Sequence, residues 1–152
     1  MPAWPQCRRY LPHVQVCALL VDEYILHIPE VVWLLHQAGW YLFTQAQYGQ
    51  AESLYQQALA INEKVRGADH LDTAGTLHLL AVLYQDQGKY EEAEPLYLRS
   101  ITTMEKLLPN HPNTAIVLES YAGFLRKVGR EKEAIELEGR ARAIREKRGE
   151  GG

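Results

Sequence analysis

The stretch GKYEEAEPLY, residues 88–97, restates a phrase already written at residues 46–55, AQYGQAESLY. Tyr48, Ala51, Glu52, Leu54 and Tyr55 return as Tyr90, Ala93, Glu94, Leu96 and Tyr97, a step of 42. A fainter third copy, GREKEAIELE at residues 129–138, keeps Ala134 and Leu137 at a step of 41. Upstream of each copy stands a second recurring phrase: LLHQAGWYLF, TLHLLAVLYQ and VLESYAGFLR, with Gly39, Ala81 and Ala122 as their small residues. The linkers GADHLDT and PNHPNT share a histidine, His70 and His111, and a threonine, Thr73 and Thr114. A fixed period of this length decides architecture first, because each copy is one supersecondary unit that must bury its apolar face on a neighbour.

Within each unit the period is helical. Leu77, Leu80, Ala81 and Tyr84 fall on one face, and Ala93, Leu96, Tyr97, Ser100 and Ile101 on a second. Between them lies DQGK, whose Gly88 suits the left-handed conformation that ends a helix. Asp72 or Thr73, and Asn113 or Thr114, are the expected N-caps. Each unit therefore reads as helix A, a tight turn, helix B and a longer linker. Gly39, Ala81 and Ala122 on one side, and Ala51, Ala93 and Ala134 on the other, let the two helices approach, while Tyr55, Tyr84 and Tyr97 fill the space around them.

This pattern resembles the tetratricopeptide repeat, W-x2-L-G-x2-Y followed by A-x3-F and a later alanine. The middle copy reads Leu77, Leu80, Ala81, Tyr84, then Ala93, Tyr97 and Ser100. The first reads Leu35, Ala38, Gly39, Leu42, Ala51, Tyr55, Ala58, and the third Leu118, Tyr121, Ala122, Leu125, Ala134, Glu138, Ala141. The long step and the phrases AEPLY and xHPxT are similar to the kinesin light chain-like subgroup. The resemblance covers residues 31–148. It implies an all-α right-handed solenoid: an N-terminal capping helix in residues 1–29, then repeats at 30–72, 73–113 and 114–149. WPQCRRYLPH, residues 4–13, is similar to the junction that follows the NB-ARC ATPase module in signalling ATPases of the STAND class. That likeness implies a sensor end of such a protein as an alternative.

Two departures stand out. Glu138 replaces the aromatic residue of the last helix B, and twelve of the nineteen residues from Arg130 to Arg148 are charged, with Glu136–Arg140 and Glu138–Arg142 at the favourable i,i+4 spacing. That is how a terminal helix reads when nothing stacks on it. Pro95, inside a helix B, is expected to remove a hydrogen bond and bend it.

The 152 residues are 47% hydrophobic and 23% charged, which argues for one globular domain. A net charge of −3 offers no basic surface for nucleic acid. No apolar run reaches a membrane span, since VQVCALLV is closed by Asp22 and Glu23. Cys7 and Cys17 match no metal signature and read as reduced thiols of a cytoplasmic protein. No nucleophile elbow, phosphate loop, H-E-x-x-H or C-x-x-C occurs, so no catalysis and no cofactor are expected. DHLD, residues 69–72, reads as a helix cap rather than a metal site, and the His36/His78 pair as surface residues rather than ligands.

A peptide-binding groove is the expectation that remains. In stacked hairpins the A helices line the concave side. On the first, Trp33, His36, Trp40 and Phe43 form a stripe; on the second, Gly75, His78, Val82 and Gln85, with Asp86 beside them; on the third, Ile116, Glu119, Gly123 and Arg126, with Lys127. Rings would anchor apolar side chains and polar groups would bond an extended backbone, with Trp40, His78 and Arg126 each contributing. The competing reading has the N-terminal helix packed over the Trp33–Phe43 stripe as core. Relatives that clamp a C-terminal carboxylate use lysines and asparagines on the A helices. Trp33, His36, Gln37, Trp40, His78 and Leu79 stand at the matching positions, so the clamp is missing. The paired asparagines of kinesin light chain-like repeats are His78–Leu79 and Glu119–Ser120 here. The exposed apolar groups of the N-terminal segment make a homo-dimer through that helix a further expectation, and with it a self-associating assembly element.

Overall fold

The computed structural model describes residues 28–149. Six helices run along them: α1 (Ile28–Thr44), α2 (Tyr48–Val65), α3 (Leu71–Asp86), α4 (Tyr90–Leu107), α5 (Pro112–Lys127) and α6 (Glu131–Lys147), with no strand among the described residues. The expected capping helix, both cysteines and the junction-like stretch lie outside the described residues.

Chain contacts divide the molecule into two units, the first ending at Ala68 and the second beginning at Asp69. In the first, α1 packs on α2. The contact is so close that a Cβ on Gly39 would stand 2.6 Å from Cε1 of Tyr55, a ring that is itself 1% exposed. Val32, Leu35, Ala38 and Leu42 of α1 are buried, as are Ala51, Leu54, Tyr55 and Ala58 of α2. In the second unit α3 packs on α4, α4 on α5 and α5 on α6. Ala81, Ala93, Ala122 and Ala134 are fully buried at the small positions read from the repeat. Tyr97 lies among Tyr121 and Phe124, with ring centroids at 5.5 and 5.6 Å, and Tyr90 meets Phe124 edge-on at 5.7 Å. The Ser100 hydroxyl donates to the Ala74 carbonyl at 2.8 Å, which fixes α4 against α3 without an unpaired buried hydroxyl.

The tight turn is the same object three times. Gln47, Lys89 and Arg130 each donate a backbone N–H to the carbonyl five residues back, Leu42, Tyr84 and Leu125, at 2.8 Å. This is the bond that closes a helix C-terminus around one left-handed residue. Gly88 and Gly129 supply it at φ 77° and 83°, while the first turn forces Ala46 to φ 58°.

Two expectations need correction. The N-caps of α3 and α5 are His70 and His111, not the Asp/Thr and Asn/Thr pairs that follow. Each imidazole Nδ1 accepts the backbone N–H two residues on, from Asp72 at 3.0 Å and Asn113 at 3.1 Å. Thr114 instead donates to the Leu108 carbonyl at 2.6 Å, tying the linker to α5. Pro95 stands inside α4, which runs as one helix from Tyr90 to Leu107. Second, the charges of α6 reach to other helices rather than along their own. Arg140 pairs with Glu105 of α4, and Glu138 pairs with Arg126 of α5. An arginine is long enough to bridge two packed helices, where its fork finds a carboxylate in fixed geometry.

Candidate binding surface

In the first unit the stripe on α1 is aromatic and open. Trp33 and Trp40 are 53% and 52% exposed, high values for indoles. Phe43 stacks on Trp40 at 5.4 Å and meets Tyr48 edge-on at 5.8 Å, so the rings make one continuous patch. His36 lies half-buried with its ring edge-on to Tyr55 at 6.2 Å. Burial pushes the Tyr55 hydroxyl up to about 12, so it stays a neutral phenol at physiological pH.

The second unit presents a polar stripe. On α3, His78 sits against the Tyr97 ring at 6.1 Å. Its Nε2 is buried without a hydrogen-bond partner, and desolvation lowers its pKa, which keeps the imidazole neutral. Gln85 is engaged already, because its Oε1 accepts from the Tyr97 hydroxyl at 2.7 Å. That hydroxyl is raised above the usual phenol range, first by burial and then by the Asp86 charge. On α5, Glu119 accepts two hydrogen bonds from Arg145 at 3.1 Å. Arg126 donates to both oxygens of Glu138, one at 2.9 Å, and to Glu131 at 3.0 Å. Both charged members of the stripe are therefore neutralised from α6. Gly75 and Gly123 leave the helix surface open, since a Cβ on either would meet nothing within 4 Å. Val82 is half-buried, and Ile116, Asp86 and Lys127 are exposed.

Some residues the sequence did not single out organise this surface. Glu94 accepts from the Tyr121 hydroxyl at 2.7 Å and pairs with Arg130, which also holds Glu133. Burial first, and then the Glu94 bond, push Tyr121 up to about 12. The Arg130 guanidinium holds the Glu133 carboxyl below its usual range. Glu94 recurs from Glu52, but the partners of Glu94 come from the next repeat, so its role was not readable within one copy.

Neither of two surface recesses of the second unit coincides with the stripe. One, of about 200 Å³, is bounded by Glu105, Pro109, Leu118, Arg140 and Ile144. The other, of about 370 Å³, is formed by the consecutive residues 88–92 at a turn. No group of three His, Cys, Asp or Glu side chains among the described residues is placed to hold a metal, and His70 already spends Nδ1 on its cap. No helix among the described residues is long and apolar enough to cross a membrane.

Residues 30–106 and 72–147 match the tetratricopeptide repeat profile. Human tetratricopeptide repeat protein 19, mitochondrial, is 31% identical over 97 residues, 64% of this chain and 25% of the relative; the mouse protein of that name is 29% identical over 85 residues, 56% and 23%. The chain thus spans about a quarter of the length of these curated relatives. Among solved structures, BtubC (BKLC) from P. vanneervenii superposes with a TM-score of 0.78 over 96% of this chain and 59% of its own, at 17% identity. The nearly identical TPR-like repeats of a putative kinesin light chain from Podosopora anserina give 0.69 over 94% and 69%, at 23% identity. These likenesses show the fold, an all-α solenoid-type repeat array.

Proposed function

Because the chain belongs to the tetratricopeptide repeat family, a family of protein-interaction scaffolds, we propose that it is a non-catalytic module that binds a segment of another protein through exposed stripes on its A helices. The observation that carries this reading is the exposure of Trp33 and Trp40 on one face of α1, with Trp40 stacked on Phe43. Rigid aromatic groups of this kind supply most of the energy at binding hot spots. Trp33, His36, Trp40 and Phe43 form the anchoring stripe. His78, Gln85, Glu119 and Arg126 form a polar stripe in which two charges are already paired. The partner is accordingly an apolar or aromatic peptide segment rather than an acidic tail.

Selection of a random peptide library on the immobilised chain tests this. Enriched peptides should carry aromatic or aliphatic anchors. Trp40→Ala should weaken them by about 1–3 kcal/mol, His78→Ala less, and Arg126→Ala least because its charge is spent internally. Equal binding by all three variants would move the site to another face. The cytoplasmic location read from the sequence belongs to the same proposal. The human relative's name places that protein in mitochondria, and fractionation of cells expressing the tagged chain distinguishes the two.

A further inference from the structure

We propose that Glu138 and Arg145 of α6 set the charge specificity of the second unit's stripe. Each occupies a charge on α5 in place of a ligand's, so the stripe accepts an uncharged peptide segment and turns away a charged one. The inference rests on the reading of that stripe as binding surface and names what selects its partner. Two observations carry it. The first is geometric. Arg126 donates from Nη1 and Nη2 to the two oxygens of Glu138 and from Nε to Glu131 at 3.0 Å, so a carboxylate already stands at the end and at the side of its fork. Glu119 accepts from Nε and Nη2 of Arg145, one bond at each oxygen, both at 3.1 Å. Paired, charge-assisted bonds of this kind are the form in which a guanidinium holds a bound carboxylate. Arg126 and Glu119 are nonetheless 41% and 45% exposed, so loss of the α6 partner opens each to a ligand rather than to the core.

The second observation compares repeats. One repeat earlier, 41 residues back, the same positions hold Gln85 with Tyr97 and His78 with Met104, side chains that are uncharged at neutral pH. Each charge that enters the stripe in the last repeat therefore arrives with an opposite charge on the helix behind it. This happens in both senses: a base on α5 with an acid on α6, and an acid on α5 with a base on α6. Exposed ion pairs add little to folding. What these pairs change is the field along the stripe, where an unpaired charge would attract an opposite ligand charge and repel a like one. The compensation keeps free charge off these positions in the last repeat, as in the middle one.

Titration of two end-blocked peptides, tetraglutamate and tetralysine, into the isotopically labelled full-length chain at low salt tests this, read from the amide shifts of α5. Neither probe carries an aromatic anchor. Glu131→Gln with Glu138→Gln should bind tetraglutamate about tenfold more tightly than the wild type, the effect of one charge-assisted hydrogen bond. Adding Arg126→Gln should cancel that gain. Arg145→Gln should gain tetralysine binding to a similar degree and lose it when Glu119→Gln is added. Glu91→Gln with Glu92→Gln makes the same change of net charge at exposed positions in the first turn of α4 and should gain much less. Far-UV circular dichroism should show the helices retained, and Glu138→Gln alone should give a smaller gain where the double substitution disturbs folding. Tetraglutamate binding that does not rise, that rises equally in the Glu91 and Glu92 variant, or that survives the loss of Arg126 would reduce the pairs to structural contacts and overturn the proposal. A failed library selection alongside these gains would count against the aromatic anchor and leave the charge selection standing. A successful selection without them would overturn the charge selection alone.

Discussion

The first and last helices described, α1 and α6, have the same length of 17 residues and opposite surfaces. One carries one charge and two exposed tryptophans; the other carries ten charges. A repeat array buries the faces between neighbouring helix pairs, and a face that meets solvent is polar. In α6 that face is written in charge: Glu131, Glu138 and Arg142 stand where α4 has Tyr90, Tyr97 and Ile101. In α1 no such replacement has been made. A charged face is suited to solvent, whereas an exposed apolar face is suited to a partner.

The contrast is sharpest at one repeat position. Tyr97 is 1% exposed, packed on Tyr121 and Phe124 and hydrogen-bonded to Gln85. Its counterpart Glu138 bonds Arg126, the counterpart of Gln85. The same two positions, twelve residues apart in each repeat, thus make a buried contact in one place and a solvated ion pair in the other. Tyr97→Ala should cost about 3–5 kcal/mol, as large aromatic truncations in cores do. Glu138→Ala should cost about 1 kcal/mol or less, the range of exposed ion pairs. Denaturant midpoints measure both, and equal losses would break the comparison.

A pair of glycines tests the same contrast with one chemistry. Gly39 in α1 abuts the buried Tyr55 ring, whereas a Cβ on Gly139 in α6 would meet nothing within 4 Å. Gly39→Ala should therefore destabilise by about 1–3 kcal/mol through overpacking. Gly139→Ala should stabilise by about 0.5–1 kcal/mol, because an exposed helical glycine gives up backbone entropy for no contact. Thermal melts of the two variants should shift in opposite directions.

The period of 41 to 42 made the helix pairs, their close approach at Gly39 and the A-helix stripes legible in the sequence, because all three depend only on spacing along a helix. What escaped was whatever depends on which side chains meet between helices. The stripe's 3-4-3 spacing says that Glu119 and Arg126 share a face; it does not say that Arg145 and Glu138 consume them. The i,i+4 pairs written into α6 lost Arg140 and Glu138 to carboxylate and guanidinium groups on α4 and α5, held at fixed geometry. The caps were missed for another reason. Histidine is outside the usual N-cap set, yet the signal was present in the recurrence of His70 and His111 in otherwise dissimilar linkers.

Those caps give a smaller prediction that separates interior helices from the ends. His70→Ala and His111→Ala should each cost about 1 kcal/mol, since each leaves a first-turn N–H without its acceptor. Asparagine at either site supplies an acceptor of similar reach and should restore most of the loss. Urea denaturation of the four variants checks this, and an asparagine that rescues nothing would mean that the imidazoles act by packing.

The last effect is absent at neutral pH and emerges as pH falls. One repeat position holds His36, His78 and Glu119 in turn. At the α6 end, Glu119 has Arg145 and solvent. In the middle, His78 has a buried Nε2 with no partner, and burial lowers its pKa. Its folded-state pKa therefore lies below the value of about 6.5 that it regains on unfolding. Between those two values the unfolded chain binds more protons than the folded one, so stability falls as pH falls through that window. Above about pH 6.5 both states carry a neutral ring, and the contribution is complete. The useful quantity is the difference between wild type and His78→Leu, two chains that share every other group. The unfolding free energy of wild type relative to His78→Leu should be constant above neutrality and decline from about pH 6.5 downward. A difference that stays flat, or grows in favour of wild type as acid is added, would mean that the buried ring finds a proton-accepting partner, and the middle repeat would then be as well compensated as the charged end.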